Sequence, residues 1–424
     1  MYNYIPLEQA ADILDSYRKP VNSKERLNLI KGKPLDELFP YYGATGQVGW
    51  IDSFLTDGEY ILLGEDGAPF LNPYAEKAYI IHGKTWVNNH AHILHSKTNN
   101  EFLCYYLNYF NYKKYVSGTT RLKLTQAQMR KIPIPNIPSD EQSRIVARIE
   151  ELFSELDKAV GTLKTTKEQL EVYRQAVLKA AFEGKYTKWW RKNHNVSANE
   201  EYCELRKENQ VFKDTSGDEN ELSLNIPDEW MKVRLGEIFD VEVGATPSRQ
   251  HAEYWNGSIP WVSSGEVRFT TINKTREMIT DIGLKNASTN LQPIGTVLLA
   301  MIGEGKTRGQ SAILNIPAAH NQNTAAILVS KTLCQPKYIY YFLQLNYENT
   351  RRVGSGNNQK ALNKERVRAI RVPFAPIAEQ SIIVKEIEKR LSICENIEQT
   401  VNTALAQADA MRQSILKQAF EGTM

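Results

Sequence analysis

Cysteine is scarce in this sequence and never clustered. The four that occur among 424 residues, Cys104, Cys203, Cys334 and Cys394, lie far apart, which excludes a disulfide framework and the close thiolate spacing of a zinc site. Long apolar runs are also missing. The longest, residues 297–302, is far too short to cross a bilayer, and the first twenty residues hold no continuous apolar signal core. A soluble, cytoplasmic protein with reduced cysteines is the expectation. Net charge is small as well, +3 at pH 7, so charge as a whole neither demands nor excludes a nucleic-acid partner.

What is present is size, apolar mass and an uneven spread of charge. With 42% hydrophobic and 10% aromatic residues over 424 positions, the chain can bury two or more cores. Residues 1–138 carry 15 Lys and Arg against 13 Asp and Glu, and residues 226–376 carry 18 against 12, while the intervening and terminal stretches are acidic. Positive charge therefore sits in two blocks, and the second is the more basic.

The sequence repeats itself at an offset of 238. Ser117-Gly118 recurs as Ser355-Gly356, and the match runs without a gap through Pro135 and Pro373, Glu141-Gln142-Ser143 and Glu379-Gln380-Ser381, to Ala181-Phe182-Glu183-Gly184 and Ala419-Phe420-Glu421-Gly422. The layout is variable block, repeat, variable block, repeat. Each repeat opens on prolines followed by acidic residues, which predicts helices starting near Asp140 and Ala378 and stopping at Gly184 and Gly422. Apolar residues then step by three and four, through Ile149, Leu152, Leu156, Leu163, Leu170, Tyr173 and Val177 in one copy and Ile387, Ile397, Val401, Met411 and Ile415 in the other, as in a coiled-coil seam. A four-helix bundle or a homodimeric zipper fits this pattern too. Two similar helices in one chain, each following a globular block, favour an antiparallel intramolecular coil with a pseudo-twofold relation between halves. A helix of about 45 residues would span roughly 68 Å at 1.5 Å per residue, a natural ruler.

The blocks themselves contain short strand-like runs at 60–63, 77–81, 295–302 and 325–329, broken by Gly, Pro, Asn and Asp, and so read as mixed α/β domains. Each also has an aromatic helix-like stretch, FLCYYLNYF at 102–110 and YIYYFLQLN at 338–346, best read as core. Downstream lie Lys113, Lys114, Arg121 and Lys123 in the first block, and Arg351, Arg352 and SGNNQK (355–360) in the second. Cations beside amides suit phosphate contacts combined with base-edge hydrogen bonds.

The ordered set IPDEWMKVRLGEI (226–238), GATPSR (244–249), IPWVSSGEV (259–267), LLAMIGEGKTRGQSAILNIPAAHNQNTAAI (298–327) and LNKERVRAIRVPFAPIAEQ (362–380) resembles the specificity subunits of type I restriction-modification systems. The first half is similar through YYGATGQVGWID (41–52), ILLGEDG (61–67), WVNNHAHIL (86–94) and LTQAQMRKIPIPNIPSDEQ (124–142), but lacks the IPDEW entry. The resemblance implies two target-recognition domains, residues 1–138 and 226–376, each reading half of a split DNA site. It implies coiled-coil helices at 139–184 and 377–424, a linker at 185–225, and docking of two methyltransferase subunits and, through them, restriction subunits. S-adenosylmethionine and ATP would belong to those partners, leaving this chain without a cofactor, a metal or catalysis. A related specificity subunit, from an enzyme cutting outside a bipartite site, is the alternative within DNA recognition.

Three motifs invite other chemistry. AMIGEGKT (300–307) falls one glycine short of a P-loop, so a DNA-facing loop with Lys306, Arg308 and Gln310 fits better than a nucleotide-binding enzyme. Asn72-Pro73-Tyr74 is one proline short of the tetrapeptide expected in the partner adenine methyltransferase. His90, His92 and His95 lack a clear carboxylate or cysteine to complete a zinc site. The candidate DNA contacts are therefore Tyr41, Asn88, Asn89, His90, Lys113, Lys114, Arg121, Lys123, Arg249, Lys306, Arg308, Gln310, Asn321, Asn323, Arg351, Arg352, Asn357, Asn358 and Lys360.

Overall fold

The computed structural model describes residues 3–208, 222–303, 305–352 and 361–422; Asn357, Asn358 and Lys360 lie outside them. The chain divides into two compact units, Met1–Lys167 with Gln399–Met424, and Glu168–Glu398. Each long helix is thus shared, giving its first part to one unit and its last part to the other.

The first unit is built on a six-stranded sheet in the order Ala11–Ile13, Ala91–Ser96, Thr56–Gly64, Ala78–Val87, Phe39–Gly43 and Gly46–Ile51. All neighbours are antiparallel except Phe39–Gly43 and Ala78–Val87. The aromatic stretch forms the helix Asn100–Tyr109, whose first turn is capped by Asn99 accepting from the Phe102 amide at 2.7 Å. It buries Phe102, Leu103, Cys104, Tyr106 and Leu107, and Phe420 from the second long helix closes over Phe102 and Tyr106 at ring separations of 5.4 and 5.2 Å.

The second unit uses a five-stranded sheet in the order Val241–Val243, Thr324–Ile327, Val297–Ala300, Ser311–Leu314 and Thr270–Ile272, beside a three-stranded one of Glu277–Ile279, Trp255–Val262 and Ala319–His320. Its aromatic helix is Pro336–Leu345, and Phe182 packs on Tyr338 and Phe342 at 5.0 and 5.5 Å. The last phenylalanine of each repeat therefore serves the core of the other block.

The repeats form single helices, Ser139–Phe182 and Ile377–Glu421. In the first unit Arg412 pairs with Asp157, and Lys167 Nζ donates to Asn402 at 2.9 Å. Partner numbers fall as residue numbers rise, so the pairing is antiparallel. In the second unit Arg174 meets Glu398 at 2.7 Å and Arg390 lies 3.9 Å from the Tyr186 ring centre, with the same sense. One heptad row of the second helix is buried throughout, Ile387, Cys394, Val401, Ala408 and Ile415; on the first helix Ile149, Leu170 and Val177 are buried, with Leu152, Leu156 and Leu163 half-buried. Tyr173, Ile397 and Met411 stand outside that seam, exposed. A helix with one neighbour covers a narrow strip, and the second apolar row rides its edge.

Gly184 ends the first helix with φ of +66°, and a Cβ there would lie 2.5 Å from Pro227 Cγ. The described residues just beyond Gly184 are structured. Residues 188–193 and 198–208 of the expected linker are helical, and Trp190 and Ala198 are buried. Arg191 donates to fully buried Glu379, to Gly184 O at 2.7 Å and to Thr187 Oγ1 at 3.0 Å, while Trp230 Nε1 donates to the second oxygen of Glu379 at 2.9 Å. This buried pair joins the post-helix segment to the first turn of the second long helix.

Candidate nucleic-acid interface

The same loops emerge at the same edge of the sheet in both units. In the first, Asn88 N donates to Tyr42 O, and the Glu65 amide donates to His90 O at 2.7 Å. In the second, Asn321 N donates to Val262 O, and the Met301 amide donates to Asn323 O at 2.8 Å. Leu124 N reaches Glu65 O and Leu362 N reaches Met301 O in parallel fashion. The turns 88–90 and 321–323 are therefore equivalent, and each is closed by its leading asparagine. Asn88 Oδ1 accepts from His90 N, and Asn321 Oδ1 from Asn323 N. Both leading asparagines are buried, which turns Asn89 and His90, or Gln322 and Asn323, outward.

In the first unit the cations of this edge stand over a floor of carboxylates. Arg18 bridges Asp15 at 3.0 Å and Glu65 at 2.5 Å, Lys123 lies 3.4 Å from Glu65, and Arg121 Nε lies 2.7 Å from Asp66. His92 is fully buried, with Nδ1 2.7 Å from Asp15 and Nε2 3.0 Å from Leu124 O. Burial works to raise the pKa of Asp15, but the His92 hydrogen bond, the Ile93 amide and Arg18 outweigh it and hold the carboxyl below its ordinary value. Glu65 is held low in the same way, with Arg18, His92 and Lys123 opposing burial. His90 lies 3.6 Å from Asp66, and His95 faces Glu59 O, so the three histidines have separate surroundings. Lys113 and Lys114 are exposed on the short helical turn Tyr112–Lys114. Tyr41 is buried, and its hydroxyl donates to Val21 O at 3.2 Å, so its side chain serves the core and not a surface contact.

In the second unit the edge is a network of tyrosine and cations. Arg351 donates to Tyr347 Oη, Tyr347 Oη donates to Lys306 O, and Arg308 donates to Arg351 O at 2.9 Å. Lys306, Arg308, Gln310, Asn323, Arg351 and Arg352 are brought together, with Lys306 and Arg352 the most exposed. After residues 305–310 the chain enters the strand Ser311–Leu314 and not a helix, unlike a P-loop. Arg249 is held apart from this network, tied to both oxygens of Glu277 and stacked 3.7 Å from the Trp255 ring centre.

The sequence reading missed one loop. Residues 265–276 shape an open concavity of about 820 Å³ lined by Arg268, Lys274 and Arg276 with Thr270, Thr271 and Asn273. The three cations are exposed and, among the described residues, none is held in an ion pair. Phe269 packs on Tyr347 at 5.2 Å, which ties this loop to the Lys306–Arg351 network.

The model of the type I restriction modification DNA specificity domain matches this chain twice, over residues 9–171 and 227–407. The chain belongs to that family. Each matched copy spans one sheet block and the helix after it. A putative type I restriction enzyme specificity subunit of Haemophilus influenzae is 36% identical over 149 residues, covering 35% of this chain and 36% of that protein, so the alignment spans about a third of its length. The EcoDI specificity subunit of Escherichia coli is 24% identical over 423 residues, covering 96% of this chain and 88% of that one. The fold is shared with a chain solved in work on complex assembly and conformational transition of the type I R-M system, with a TM-score of 0.67 at 16% identity, covering 99% of this chain and 97% of the other.

The two family copies differ just before their equivalent turns in a way that alters titration. His320 stands where the first unit has Val87, each paired to the parallel strand beside it. It is buried, Nδ1 lies 2.7 Å from Thr324 Oγ1, and Nε2 has no partner among the described residues. Burial holds its pKa down, at about 4 against the usual 6.5. The unfolded chain takes up this proton as pH falls below 6.5 and the folded one only near 4, so stability is lost across that window, by about 3 kcal/mol in total. Denaturation of the full chain at pH 7 and pH 5 is expected to show about 2 kcal/mol of this loss. His320→Val is expected to flatten the dependence, and an unchanged dependence in that variant would reject the assignment.

Proposed function

We propose that this chain is the DNA specificity subunit of a type I restriction-modification complex, reading a bipartite duplex target by contact alone. The observation that carries the reading is the recurrence of one loop set, at one sheet edge, in two units with different side chains. Two equivalent scaffolds with different readers suit a target of two unlike halves. Phosphate contacts from the cations would set position, and exposed groups of the turns at 88–90 and 321–323 would test base edges. The modification subunits, two of them in this reading, dock along the paired helices, where Val172 and Tyr173 on one helix and Ile393 and Ile397 on the other are exposed. Those partners bind S-adenosylmethionine and, with the restriction subunits, use ATP; the present chain supplies recognition without chemistry.

The test is an exchange. Replacing residues 1–138 with the corresponding block of another family member is expected to change one half of the methylated motif, as mapped by methylation sequencing of a host carrying the hybrid system. A change in both halves together would reject the division of labour.

A further inference from the structure

We propose that Arg121 reads a guanine in the half-site recognised by the first unit, with Asp66 as its positioning residue; the inference rests on the function proposed above and names one reader within it. Arg121 sits near the tip of a short hairpin closed by Ser117 N to Lys123 O at 3.0 Å and Lys123 N to Ser117 O at 2.8 Å. Gly67 N donates to Leu122 O at 3.0 Å and fastens that hairpin to the sheet edge. The guanidinium is oriented as well as placed. Its Nε lies 2.7 Å from Asp66 Oδ1, and the group lies close against Gly67, where a Cβ would come within 3.2 Å of Nε. Gly67 has φ of +78°, a conformation that independently favours glycine. With Nε occupied, the two terminal amino groups remain as donors on a side chain that is 60% exposed. They form a fixed pair of donors of the kind that O6 and N7 of guanine accept in the major groove.

Phosphate would also accept such a fork, and the local charge decides between them. Asp15, Glu65 and Asp66 stand against Arg18, Arg121 and Lys123 in ion pairs, so these six groups offer no surplus positive charge to attract a phosphate. A base edge is neutral and needs directed donors, which a buttressed arginine supplies.

The experiment uses the full chain assembled with its modification subunits, and duplexes in which each base pair of the mapped target is changed in turn. Arg121→Lys keeps the charge and loses the fork. It is expected to lower discrimination at one G·C pair of one half-site by roughly tenfold or more, leaving the other half-site and the salt dependence unchanged. Asp66→Asn is expected to weaken discrimination at that same pair, which a purely structural role would not single out. The proposal is overturned if the half-site contains no G·C pair, if Arg121→Lys keeps full discrimination, or if Arg121→Ala weakens all duplexes alike and lowers the log-log salt slope by about 0.9, the mark of a phosphate contact. A wild-type complex with no sequence selection would instead overturn the function beneath it.

Discussion

Arg191→Ala is expected to remove about 3–5 kcal/mol from the stability of the second unit, read as a lower denaturant midpoint for the full chain. The size reflects the groups that the substitution strands. Glu379 is fully buried in the first turn of the second long helix, and its other oxygen already takes the Trp230 indole N–H. Without Arg191 the carboxylate keeps one neutral donor and loses its counter-charge, while the carbonyl of Gly184 loses the donor that closes the end of the first long helix. Replacing both partners by apolar residues, as in Arg191→Met with Glu379→Met, is expected to recover much of the loss, because no charge is then stranded. A cost below about 1 kcal/mol for Arg191→Ala would show that water reaches the pair.

The second large effect is on binding. Replacing Arg268, Lys274 and Arg276 together by alanine is expected to lower the log-log salt slope of DNA binding by up to about 2.7, at about 0.9 per phosphate contact, and affinity by about two orders of magnitude at roughly 0.15 M salt. Arg249→Ala is the matched control. Its guanidinium is already committed to Glu277 and Trp255, so the slope is expected to hold. An unchanged slope in the triple variant would place the 265–276 loop away from the duplex.

How much of this was legible in the sequence depends on the range of the signal. The repeat at offset 238 located both long helices to within a residue or two, because prolines, acidic first turns and a terminal glycine are local instructions. The aromatic stretches were read correctly as core for the same reason. The seam was half legible. Heptad spacing identified Ile149, Val177, Ile387, Val401 and Ile415, but spacing alone does not say which of two apolar rows a single partner helix will cover, and Tyr173, Ile397 and Met411 fell outside it. Residues 188–208 fall in the stretch 185–225 that the family resemblance leaves as linker; Trp190, buried in the structure, was the available sign of packing.

The clustering of cations and amides in the candidate site was legible only as composition, and their mutual geometry was not. Lys306, Arg308 and Arg351 meet through Tyr347, and Arg121 meets Asp66 across a long stretch of chain, contacts that only the sheet order creates. The cations of the 265–276 loop are scattered among threonines and join the network through the packing of Phe269 on Tyr347. Asp15 gave no sign of its role, since the residues it serves, His92 and the Ile93 amide, come 77 and 78 positions later.

The exchanged phenylalanines set an order on biosynthesis. The core of the first unit includes Ile415, Leu416, Ala419 and Phe420, so its sheet and aromatic helix are synthesised well before the residues that cover them. The second unit draws on Leu178, Ala181 and Phe182, which have already emerged when its own sheet is made. A chain halted before residue 415 would hold every residue of the second unit but an incomplete core in the first, with Phe102 and Tyr106 left uncovered by Phe420. Completion of the earlier block's core is thereby made contingent on synthesis of the later one.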